Sequence, residues 1–66
     1  MRFTFEFTNG REETFSGITQ IIKDGAPIDF TQRGCINELF SGHLVIHYAA
    51  GKVALVDGNK VKRVTP

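Results

Sequence analysis

Seven glycines punctuate the chain at positions 10, 17, 25, 34, 42, 51 and 58, separated by seven to nine residues throughout. No side-chain repeat accompanies them, so the spacing marks turns and not a duplicated unit. Turn signals this close together leave room for short strands between them, with at most a turn or two of helix.

The first interval is the clearest. Phe3, Phe5 and Phe7 alternate with Arg2, Thr4, Glu6 and Thr8, a period of two that predicts a strand with one apolar face. Asn9-Gly10 supplies a turn, and Arg11–Ser16 returns. A three-residue loop, Thr8-Asn9-Gly10 with Gly10 left-handed, pairs Phe15 with Phe3, whereas a two-residue loop pairs it with Thr4. Burial favours the first, because a one-residue slip turns every side chain to the opposite face.

The middle of the chain is open to two readings. Ile18, Ile21 and Ile22 have helical spacing between Ser16 and Gly25, yet their β-branched side chains suit a strand continuing past a bend at Gly17. Gly25-Ala26-Pro27 reads as a turn, and Ile36, Leu39 and Phe40 suit one or two helical turns ended by Ser41-Gly42. The last third predicts strands at His43–Ala49, Val53–Val56 and Lys60–Val64, joined around Ala50-Gly51 and Asp57-Gly58-Asn59. A four-residue loop, Ala49–Lys52, would pair Tyr48 with Val53 and Ile46 with Leu55.

The fold class that follows is mainly β. About five antiparallel strands, an N-terminal hairpin plus a C-terminal three-stranded meander, form a small, partly open barrel or twisted sheet with one or two short helical stretches. The alternative is α+β, with a helix on one sheet face. Residues 1–66 make one domain.

A chain of 66 residues buries only ~60% of the surface its unfolded form exposes. Little room remains for a deep substrate pocket. Cys35 is the single cysteine, which excludes an intrachain disulfide and points to a reducing, cytoplasmic setting. Met1–Thr8 lacks the continuous apolar run of a signal peptide, and no apolar run approaches a membrane span.

Few residues offer chemistry. His43 and His47 would share a face on a helix, but along a strand they stand ~13 Å apart, too far to ligate one ion. Cys35 has no recognisable nucleophile signature around it. Glu6, Glu12 and Glu13 read as a solvated sheet face, and phosphate-cradling glycine motifs are absent. The sequence therefore predicts no catalytic centre, no cofactor and no tightly bound metal.

Two surfaces carry the functional expectation. The first is apolar. Phe3, Phe5 and Phe7 belong mainly to the core, with Phe30, Phe40, Leu44, Ile46, Val53 and Leu55 as packing partners. Any uncovered margin of the stripe, together with Ile18 and Ile22, would be a protein interface. The second surface is basic. Net charge is only +1, but Lys52, Lys60, Lys62 and Arg63 face Asp57 alone in the last fifteen residues. With Tyr48 as a stacking ring, they would serve a nucleic-acid-binding module. A small non-enzymatic interaction or regulatory module is the leading reading, with a protein partner or a second copy as its target. A homodimer would pair the Ile18–Ile22 segment or the outer face of the central apolar strands, since the lysine-rich strand would repel its own copy.

Overall fold

The computed structural model describes the backbone of residues 1–66 and every side chain except that of Arg33. The described residues form seven antiparallel strands in two open sheets. These are β1 (Arg2–Phe7), β2 (Glu12–Ser16), β3 (Gln20–Lys23), β4 (Ala26–Ile28), β5 (His43–Tyr48), β6 (Lys52–Asp57) and β7 (Val61–Thr65). One sheet has the order β2-β1-β7 and the other β4-β3-β5-β6. A 3-10 helix, Arg33–Phe40, connects β4 to β5, and a single 3-10 turn, Gly58–Lys60, connects β6 to β7. The fold is mainly β, as expected.

The first hairpin has the register that burial favours: Phe3 lies opposite Phe15 and Glu6 opposite Glu12. Its loop is the expected three-residue one, closed by the Phe7 N–H donating to the Arg11 carbonyl at 2.8 Å. Gly10 takes φ +87°, a conformation that costs a β-carbon-bearing residue ~1–2 kcal/mol.

Gly17, also left-handed, turns the chain from one sheet into the other. The Ser16 and Gly17 carbonyls both accept from the Ala49 N–H, at 3.1 and 3.2 Å. Ile18, in the connection between the sheets, and Ile21, in the second sheet, thereby enter the core. Ile21 and Ile22 lie in β3 and Ile18 in the extended segment before it, so β-branching outweighs the helical spacing. The turn that follows is Asp24-Gly25, both left-handed at φ +49° and +84°, and not the expected Gly25-Ala26-Pro27. A two-residue loop of that handedness matches the twist of its flanking strands. Ala26 is pushed to extended geometry by Pro27 and so joins β4, where the missing N–H of proline is tolerated on an outer strand.

Two further differences lie in the last third. The β5–β6 loop has three residues, Ala49-Ala50-Gly51, all with positive φ, and Tyr48 faces Lys52. Ile46 therefore opposes Ala54 and not Leu55. This slip of one residue reverses β6: Val56 is buried, while Val53 and Leu55 turn outward. Phe40, also expected in the core, is exposed. The expected C-terminal meander is likewise interrupted, because β7 pairs with β1 and not with β6. The Gly58–Lys60 turn redirects the chain. Gly58 is seated against the backbone of Ser41, and its N–H donates to the Gly42 carbonyl at 2.8 Å. Asp57 accepts from the Asn59 N–H at 3.0 Å, and the Lys60 carbonyl accepts from the Thr8 N–H at 2.8 Å.

The core lies between the inner faces. Phe3, Phe5 and Phe15 meet Ile21, Leu44 and Ile46, and Cys35 and Leu39 add the buried face of the 3-10 helix. Phe5 stands edge-on to Phe15 at 5.5 Å between ring centroids, a geometry that aromatic quadrupoles favour. In β7, Val61 and Val64 both face inward although three residues apart. A register shift in the β1–β7 pairing leaves Lys62 without an opposite residue, so Lys62 and Arg63 both face solvent.

Candidate functional site

Strand alternation fixes what each sheet shows to water. In the three-stranded sheet the outer face is polar. The Thr4 and Thr14 hydroxyls lie 2.9 Å apart in a hydrogen bond, and Glu6 stands 3.7 Å from Arg63 and 4.0 Å from Lys62.

The outer face of the four-stranded sheet is different. Pro27 lies opposite Ile22, Ile22 opposite Val45, and Val45 opposite Leu55. Directly opposed residues of an antiparallel pair lie on the same side of the sheet, so these four side chains form one row across all four strands. The next row holds Gln20, His47 and Val53. Ile22 and Val45 are half-buried, whereas Leu55 is 82% exposed and Val53 53%. A shallow depression lined by His43, Val45, Leu55 and Asp57 opens beside Leu55. Along the other flank of β6 runs a groove of about 410 Å³ with Phe7, Arg11, Glu13, Leu55 and Lys60 in its walls.

The residues expected at an interface are split by this arrangement. Phe3, Phe5 and Ile18 are buried and present no surface. Phe7 reaches the groove, and Ile22 reaches the outer apolar row. Leu55 and Val53, expected inside, are exposed members of the patch. The signal that could have found them is the loop length: four consecutive apolar residues, Val53–Val56, fit either register, and the turn decides between them.

The basic residues are not gathered into one patch. Lys62 and Arg63 share the outer face of the three-stranded sheet with Glu6. Lys52 opens β6 and Lys60 follows its far end, with a strand of ~17 Å between them. Tyr48 is partly taken up by the core, its ring edge-on to Phe15 at 5.0 Å.

His43 and His47 both lie on the outer face of β5, separated by Val45. Among the described residues, no three His, Cys, Asp or Glu side chains are grouped to hold a metal ion. The Cys35 thiol is buried and donates to the Phe30 carbonyl at 3.3 Å. Burial raises its pKa above the ordinary thiol value, and the negative charges of Asp29 and Glu38 add to that shift. The thiolate, which is the nucleophilic form, is thereby disfavoured. Asp29 shifts the other way: the Thr31 hydroxyl, the Thr31 N–H and the Gln32 amide hold its carboxyl below the ordinary value. That cluster serves the loop entering the 3-10 helix.

The chain matches no protein-family model, no curated protein and no solved structure.

Proposed function

We propose that this protein is a non-enzymatic interaction module that docks through the outer face of its four-stranded sheet. The observation that carries this reading is the apolar row Pro27–Ile22–Val45–Leu55, ending in a leucine that is 82% exposed. None of its four residues belongs to the core. A leucine left in water forgoes the ~1.5–3 kcal/mol that burying it contributes, and contiguous exposed apolar surface is the usual mark of an interaction site. The nucleic-acid reading has less support. Glu6 partly neutralises Lys62 and Arg63, and the remaining lysines stand apart.

The test is a photoreactive phenylalanine analogue placed at Leu55 or, as a control, at Thr14 on the outer face of the other sheet. Irradiation of cells producing each variant should give protein adducts of defined mass from position 55 and none from position 14. Equal yields at the two positions, or adducts removed by nuclease, would overturn the reading. The second outcome would move the function to the basic residues.

A further inference from the structure

The sheets end in four outer strands, β2, β7, β4 and β6, and a strand edge offers unpaired N–H and C=O groups to any other strand. Three of these edges are guarded. β4 is only three residues long and contains Pro27. β2 carries Glu12 and Glu13. β7 carries Lys62 and Arg63 and is irregular where it pairs with β1. β6 has six residues, no proline, no glycine and no charge between its ends. Its interior is Val53-Ala54-Leu55-Val56, and a groove, with the first hairpin's Phe7, Arg11 and Glu13 in its walls, borders its Leu55–Asp57 half.

The geometry points to a second copy of this chain as the occupant of the β6 edge: two β6 strands pair antiparallel about a two-fold axis, joining the two four-stranded sheets into one. This rests on the docking reading above: the pairing takes place at the β6 margin of that face and continues its apolar row into a second chain. Charge discriminates among the edges. β6 is charged only at its two ends, Lys52 and Asp57, and these have opposite sign and opposite parity along the strand, so antiparallel self-pairing about its middle opposes no like charges. The same operation on β7 brings Lys62 and Arg63 against their own copies, and on β2 it opposes Glu12 and Glu13. Like charges directly opposed are destabilising.

Side-chain parity agrees. A two-fold axis perpendicular to the sheet keeps outer faces on one side. With the axis at Ala54, Val53 opposes Leu55 of the copy; with the axis at Leu55, the two leucines face each other. In both registers Val53 and Leu55 of the two chains make one continuous apolar strip, flanked by each Val45–Ile22–Pro27 row. The association adds cross-strand contacts between Val53 and Leu55 of the two chains to the core of a 66-residue chain, which is small by itself.

Sedimentation equilibrium over a concentration series tests this on the wild-type chain, Leu55→Lys, Val53→Lys and Lys62→Glu, with circular dichroism melts run on each. The wild type should rise from 7.3 kDa toward twice that mass. Leu55→Lys should raise the dimer dissociation constant more than about tenfold, and Val53→Lys provides the same test should Leu55→Lys fail to fold. Lys62→Glu, on the guarded edge, should dimerise as the wild type does. A wild-type mass constant at 7.3 kDa, or a folded Leu55→Lys dimer of undiminished affinity, would overturn the proposal. A monomeric wild type that still yields a foreign protein adduct from position 55 overturns self-pairing while leaving the docking surface in place.

Discussion

The two sheets share their inner faces in one core, yet only one of them carries an apolar row across its outer face. On the three-stranded sheet, Thr4 bonds Thr14 and Glu6 sits between Lys62 and Arg63. On the four-stranded sheet the corresponding positions are Pro27, Ile22, Val45 and Leu55. Core formation demands apolar residues on the inner side of each sheet and places no such demand on the outer side. The polar outer face shows what this chain does with a sheet surface left to water. The apolar one departs from that solution, and the departure is what makes it the candidate for function.

Substitutions on the two sides of the fold should separate these roles. The largest effect belongs to Phe5→Ala. Phe5 is fully buried, and truncation should cost ~3–5 kcal/mol, read as a large drop in the urea midpoint or as failure to fold. A variant melting near the wild type would place the phenylalanine stripe outside the core. Next comes Gly58→Ala. A β-carbon there would run into the Ser41 backbone, and easing that contact should cost ~1–3 kcal/mol. The turn held by Gly58 carries the chain from the apolar-faced sheet to the polar-faced one, so its disruption should unfold both together in one transition.

A smaller effect appears at high pH. The Cys35 pKa is raised in the folded state by burial first and by Asp29 and Glu38 after it. The unfolded thiol ionises at the lower, ordinary value, so the stability linked to the neutral thiol is complete below about pH 9 and is lost as pH rises through the folded pKa. The stability gap between wild type and Cys35→Ala, followed by urea titration from neutral to alkaline pH, should therefore narrow above about pH 9. A gap that holds constant would mean that the thiol is not shielded in the core. Alkylation of Cys35 at neutral pH should likewise be slow until denaturant is added. The smallest effect on the monomer is at Leu55. At concentrations where only monomer is present, Leu55→Ala should shift stability by no more than ~0.5 kcal/mol. A cost of several kcal/mol would make Leu55 a core residue and erase the contrast between the two outer faces.

Much of this fold is legible in local pattern. The Phe3–Phe7 alternation and Gly10 determine the first hairpin with its register, whereas of Ile36, Leu39 and Phe40, expected on the apolar side of the helical stretch, only Leu39 is fully buried and Cys35 joins it. The isoleucine segment is ambiguous alone, and pairing of β3 with β5 resolves it. What local pattern does not carry is the β5–β6 register. Ala49 and Ala50 adopt left-handed conformations that alanine rarely takes, so nothing in their identity announces a three-residue loop. That single step moves Leu55 from the expected core to the surface, and with it the candidate site. The redirection of β7 is equally hidden, because it depends on the fit of Gly58 against Ser41, seventeen residues earlier in the chain. The homodimer expected from the chain's small size survives as a proposal, now assigned to one edge.

The most direct test of the central contrast is amide hydrogen exchange of the wild-type chain at dilute and at high concentration, compared strand by strand. The account predicts that protection within Val53–Val56 rises with concentration, while the outer strands β2 and β7 exchange at the same rate in both samples. Concentration-independent exchange throughout β6, or protection gained by β7 in its place, would contradict it.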